Sequence, residues 1–258
     1  MTERTFTAFT EADLLAGTRL CAANARTHSE CADHIATLGH YGVAASHLVL
    51  AAEEAIKAFV FFAKLFDLPL PHKVDVYFAQ HEPRHAAARD LYGFFCDLLA
   101  SQAEYQTAVR QASLTFAAQQ LAQGLPTDAE LDEAQLGHDL MAHIGVELSR
   151  LLLAREARRD PDQEQLDRKW WNNANGLKNK GFYVDYYENK GWQLPRQVAE
   201  ADYKDSRQRV DNVLRVIEEL DRLPPESLAD LKRFLAASRD KALEVLETSS
   251  NPTESDSI

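Results

Sequence analysis

Cysteine, glycine and proline are scarce in this chain, with three, ten and nine residues among 258. That scarcity excludes a disulfide-stapled scaffold, a collagen-like repeat and a Pro/Gly-rich linker protein. Cys21, Cys31 and Cys96 are an odd count without metal-type spacing, so they read as reduced thiols of a cytoplasmic protein. Long hydrophobic runs are also missing. The longest apolar passage, residues 55–70, is interrupted by Lys57, Lys64 and Asp67 and is too short and too charged to span a membrane. The opening MTERTFTAFTEADL is charged and lacks an apolar h-region, so no secretory signal is expected. Positive charge is the minority sign: 28 Lys and Arg face 40 Asp and Glu, for a net charge of −12. A general affinity for nucleic-acid backbone is therefore not expected, although a local basic site remains open.

What the chain does contain is helix-forming sequence. Hydrophobic residues make up 45% and charged residues 26%, ordinary for a globular protein, and Ala and Leu are abundant. These features predict an all-α, multi-helix bundle with an irregular or short-hairpin insertion near 169–197. The expected organisation is a single α-helical domain over 1–248 and a disordered C-terminal tail over 249–258. Thr10-Glu11-Ala12-Asp13 reads as a capping box that opens a first helix to about Leu38, with Leu14, Leu15, Ala22, Ala25, Cys31 and Ile35 as its buried side. Gly39 ends it, a second helix follows over about 41–67, and Pro69 and Pro71 stop that one. A third helix is expected over about 83–123, a fourth from a capping box at Thr127 to about Arg159, and two more over 199–221 and 225–247. Between them the stretch from Lys169 to Gln197 is rich in aromatics, Asn, Gly and Lys and shows no helical period. Its Phe182–Tyr186 segment suits a short strand and Asn189-Lys190-Gly191 a turn.

The second helix carries the most unusual load. His47, Glu53, Glu54 and Lys57 lie in an otherwise apolar or small-residue surface. At about 100° per residue, His47 and Glu54 fall within roughly 20° of one another. Charged groups in such a setting must be satisfied or used. In one reading Glu53 and Lys57 form an i,i+4 pair that fixes packing register. In the other, a carboxylate and a nearby His perform acid–base chemistry on a phosphodiester or nucleotide. Glu54 and His47, with His81 or His85, are the catalytic candidates, and Glu53 and Lys57 belong to the same group.

Two other clusters stand out. His72, Lys73, His81, Arg84 and His85 are a basic patch in an acidic chain, suited to contacting an anion or RNA, with His81 or His85 as acid or base. His81 and His85 share the i,i+4 spacing of metal ligands but lack the Glu of the metalloprotease motif. No cofactor is expected, and zinc on these two His residues and a helix-two carboxylate is the alternative. Farther on, Lys178, Lys180, Tyr183, Asp185 and Tyr186, together with Trp192, interleave basic and aromatic side chains as single-stranded RNA sites do. The competing reading is a loop that plugs the bundle with its aromatics. His138 and His143 lie five apart, off a common face, and read as structural.

Three pieces in order resemble a known family: Tyr41-Gly42-x-Ala44-Ala45-x-His47-Leu48 followed by Ala52-Glu53-Glu54-x-x-Lys57-Ala58; His72-Lys73 with His81 and His85; and Leu177–Tyr186 leading to Trp192-x-x-Pro195. The sequence resembles AbiV-type abortive infection proteins, in or near the HEPN superfamily, over most of positions 10–220. The resemblance implies a HEPN-like helical core and an anti-phage protein that impairs translation or attacks RNA, with a phage product as trigger. Many HEPN proteins are metal-independent ribonucleases that use an Arg followed a few residues later by a His. None of the nine His residues here has an Arg four to six positions ahead of it, so that mechanism is not assigned and enzymatic activity stays open. A non-catalytic binding module that sequesters a phage or host protein is the alternative. A homodimer is expected by analogy with other helical bundles.

Overall fold

The computed structural model describes residues 9–68, 70, 72–100, 102–122, 133–189, 191–195 and 198–222. The architecture is an all-α bundle with one small hairpin. In chain order it comprises α1 (Glu11–Thr37), α2 (Tyr41–Leu65), α3 (Val74–Ala79), α4 (His81–Ala100), α5 (Gln102–Ala122), α6 (Glu133–Glu156), α7 (Pro161–Phe182), β1 (Asp185–Tyr187), β2 (Gly191–Gln193) and α8 (Glu200–Asp221). Among the described residues, no helix is long and apolar enough to cross a membrane. The chain forms two compact units. The first contains α1–α4, α7, the hairpin and α8. In the second, α5 packs on α6, with Arg155 Nε donating to Glu104 at 3.1 Å and the His143 ring 6.1 Å from that of Phe116.

In the first unit α1 begins as its sequence dictates. Asp13 N donates to Thr10 Oγ1 at 3.2 Å while Thr10 N donates to Asp13 Oδ2 at 2.9 Å, a reciprocal capping box. It ends at Gly39, whose φ of +77° is the left-handed conformation that glycine adopts without a Cβ clash. After that turn α2 packs along α1. Ala22, Ala25 and Ala32 of α1 and Ala44, Ala45, Ala51, Ala52 and Ala55 of α2 are all buried, and such small side chains allow close axes. Helix α2 is buried on almost every side, as a central helix must be when it is apolar all round. Helices α1, α3, α4, α7 and α8 all contact it.

Two expectations are corrected. The segment 169–182 is not irregular: it is the second half of α7, which starts with Asp160 as cap and Pro161 in the first turn. Trp171, Ala174, Lys178 and Gly181 form its buried face, at helical spacing. A lysine and a glycine among four buried positions hide the apolar period. Only the later part of the insertion is a hairpin, with Asp185 opposite Gln193, Tyr186 opposite Trp192 and Tyr187 opposite Gly191. The helix expected over 83–123 is instead two helices, α4 and α5, which belong to different units. Helix α4 packs Ala88, Tyr92 and Phe95 into the core of the first unit. Pro69, Pro71, the Thr127 capping box and the 225–247 helix lie outside the described residues.

Helix α7 crosses close over α2 at Gly181. A Cβ at Gly181 would collide with Ser46 Oγ and the Gly42 carbonyl. Ser46 Oγ donates to the Lys178 carbonyl at 2.9 Å, which ties the two helices at the turn that carries Lys178.

Candidate functional site

Two helices deliver side chains to one carboxylate on a third. Glu53 points from α2 into the junction with α4 and α7. Its Oε1 accepts from His85 Nε2 at 2.8 Å and from Lys178 Nζ at 2.6 Å. Its Oε2 accepts from Arg84 Nη2 at 3.0 Å and lies 2.8 Å from His81 Nδ1. His81, Arg84 and His85 sit at i, i+3 and i+4 on α4, one face of a single turn, so one helix placement brings all three to α2. Arg84 Nη1 also donates to the Tyr77 carbonyl at 2.8 Å and so holds α3 against α4.

Burial divides the cluster. The side chains of Glu53, Arg84, Lys178 and His85 are 6, 5, 7 and 10% exposed, whereas His81 is 53% exposed. Burial pushes the Glu53 carboxyl up, but hydrogen bonds from His85 and Lys178 and the charges of Arg84 and Lys178 outweigh it. The carboxyl is held well below the usual carboxylate range, and Glu53 is ionised. His85 donates through Nε2, and its buried Nδ1 has no partner among the described residues; nor has the buried Nε of Arg84. His81 differs. Its Nδ1 touches Glu53 Oε2, and it also lies 3.1 Å from Lys178 Nζ and within reach of Arg84 Nη2. With a proton, Nδ1 donates to Glu53; without one, it accepts from Lys178 or Arg84. This imidazole has a partner in either state, while much of its ring faces solvent.

The other candidates on α2 do not join this cluster. Lys57 pairs with Glu54, three residues back, and not with Glu53 as the i,i+4 reading expected, because Glu53 is turned inward to α4 and α7. Lys57 Nζ also lies 5.7 Å from the centre of the Phe78 ring. His47 meets His28 of α1, Nδ1 to Nδ1 at 3.3 Å, and the edge of Phe182. Burial lowers the pKa of both imidazoles, and the charge of His28 lowers that of His47 further. Near them, burial and the charge of Glu54 push the Cys21 thiol up to about 11. His28 and Cys21 were not foreseen, since no spacing in the chain links a residue of α1 to one of α2.

The remaining candidates are dispersed. The His72 ring lies 5.9 Å from that of Tyr77 and is tilted 59° to it, and Lys73 is exposed at the start of α3. Lys180 lies on the exposed side of α7, and Tyr183, 60% exposed, ends that helix. Asp185 and Tyr186 occupy β1, and their side chains lie outside the described set. The zinc alternative meets a charge problem. Glu53, His81 and His85 do converge, but the carboxylate is already engaged by Lys178 and Arg84, which repel a dication. Among the described residues, no group of three or more His, Cys, Asp or Glu is arranged to hold a metal ion.

A family model described as AbiV, of HEPN type, matches residues 13–215. The chain belongs to the AbiV family. The match spans α1 to most of α8 and therefore includes every member of the Glu53 cluster. No curated protein and no solved structure matches this AbiV-family chain significantly.

Proposed function

We propose that this AbiV-family protein is an anti-phage abortive infection effector, working in the cytoplasm on RNA or translation, with His81 as its acid–base group. The observation that carries this reading is the half-exposed His81 ring bound through Nδ1 to a buried, ionised Glu53 and flanked by Arg84 and Lys178. A carboxylate orients the imidazole, and two fixed cations stand beside it, where a phosphodiester's developing negative charge would be stabilised. Arginine and histidine are the residue types HEPN nucleases use; here Arg84 and His81 meet in space with a different order along the chain. Glu54 and His47 are not part of this chemistry.

The alternative, a non-catalytic helical module that sequesters a phage or host protein, draws support from the burial of the other four cluster members. In that reading the cluster only locks α2, α4 and α7 together. Both readings include a homodimer and engagement by a phage product, the first checked by light scattering of the purified chain. The deciding experiment compares wild type with His81→Ala for RNA degradation or translation block in vitro and for phage protection in cells. The expected outcome is loss of both with an unchanged unfolding temperature. Full activity in His81→Ala would refute the acid–base role and favour the binding module.

A further inference from the structure

The two imidazoles at the α1–α2 interface form a pair that the chemistry around Glu53 does not use. His28 and His47 lie on the two arms of the helical hairpin that turns at Gly39, and their Nδ1 atoms stand 3.3 Å apart. The same pattern places them on both helices. His28 falls three residues after Ala25 and four before Ala32, and His47 three after Ala44 and four before Ala51. All four alanines are fully buried, so the backbones that carry the two rings are held at close range. This fixed placement lowers the ordering cost of a shared ligand. The edge of Phe182 from α7 flanks His47, with ring centres 5.2 Å apart at 85°. Both imidazoles are half-buried, so the pair keeps contact with solvent.

Two nitrogens at this distance have two uses. With one proton between them, Nδ1–H of one ring donates to the bare Nδ1 of the other. When that proton moves to Nε2, where water can accept it, both Nδ1 lone pairs are free for a shared cation. Two imidazole nitrogens on one tetrahedral ion, each about 2.0–2.1 Å from it, stand roughly 3.3–3.4 Å from one another. The observed separation matches that bite. The ring centres, 5.6 Å apart with the planes tilted by 41°, need to close by only roughly 0.4 Å for both lone pairs to meet at the ion. Burial disfavours the charged form of both rings, and the neutral imidazole is the form that ligates a metal. At His28 the charge of Glu54 acts more strongly than that of Lys57, so the local field favours a cation. Among the described residues no third His, Cys, Asp or Glu completes a metal-holding group with the two. Water therefore fills the other positions, and the ion is exchangeable, unlike one in a closed structural site.

We propose that His28 and His47 together bind one divalent transition-metal ion through their Nδ1 atoms, with water completing its coordination. Imidazole ligands suit zinc, nickel and copper, and Cu²⁺ should bind more tightly than Zn²⁺ or Co²⁺. Bound there, the ion bridges α1 and α2 and stabilises the folded chain as its concentration rises. The proposal is independent of His81 and of any action on RNA. Calorimetric titration of the full chain, stripped with EDTA and dialysed, with Zn²⁺, Cu²⁺ and Co²⁺ tests it. The wild type should take up a single ion per chain at this site, and its unfolding temperature should rise with Zn²⁺. Each of His28→Gln and His47→Gln should weaken that binding about tenfold or more and remove the thermal shift. Nitrogen NMR of the wild type gives a readout that needs no variant to fold: Zn²⁺ should move the Nδ1 resonances of both imidazoles. Absence of binding, undiminished affinity in either folded variant, or Nδ1 resonances unmoved by Zn²⁺ would overturn the proposal.

Discussion

Glu53 and Glu54 are neighbours on one helix and have different fates. Glu53 is enclosed by Arg84, His85 and Lys178, while Glu54 pairs with Lys57 where both are 17% exposed. Removing the charge of Glu53 leaves two cations buried without a counter-ion, a change that costs about 3–5 kcal/mol. Glu53→Gln should therefore lower stability by that amount in denaturant unfolding, and Glu54→Gln by clearly less. Equal effects would mean that the buried cations find other partners. His81 holds only an exposed edge of the cluster, so His81→Ala should cost no more than about 1 kcal/mol. That difference makes His81, and not Glu53, the residue whose substitution separates function from folding.

At the scale of the element, the crossing of α7 over α2 is the joint on which the site depends. The side chain Lys178 brings to Glu53 starts from a turn bonded to Ser46, and Gly181 permits that approach. The atoms a methyl group would meet include the backbone carbonyl of Gly42, which cannot swing aside. Gly181→Ala is expected to destabilise by about 1–3 kcal/mol and to weaken the activity assigned to His81, read by thermal unfolding alongside the RNA or translation assay. A neutral outcome would show that α7 can shift without loss.

The whole molecule should lose stability on acidification in two stages. Burial depresses the His28 and His47 pKa values in the folded chain, so the unfolded chain takes up those protons first. Their contribution is complete above the unfolded value of about 6.5 and declines as pH falls below it. Glu53 is also depressed in the folded chain. Its contribution is complete above the unfolded value of about 4.3 and is lost as pH falls further. Denaturant midpoints measured across this range should fall twice. In His28→Gln the first decline should shrink, and a curve unchanged by that substitution would remove the paired imidazoles as its cause.

Local rules made much of the fold legible in the sequence. Thr10 and Asp13 start α1, Gly39 ends it, and the apolar run from residue 41 marks the central helix, because caps, glycine turns and helical periods act over a few residues. Where buried positions carry Lys178 and Gly181, that period was obscured and the helical half of the 169–197 stretch was not legible. The sequence also named Glu53, His81, Arg84, His85 and Lys178 as candidates, but not as one group, and it favoured Glu54 and His47 over Glu53. Only the tertiary structure decided which of the two neighbouring carboxylates is enclosed. Adjacent helical residues point about 100° apart, and the buried partners of Glu53 lie 31, 32 and 125 residues away, so docking of α4 and α7 selects the carboxylate that is enclosed.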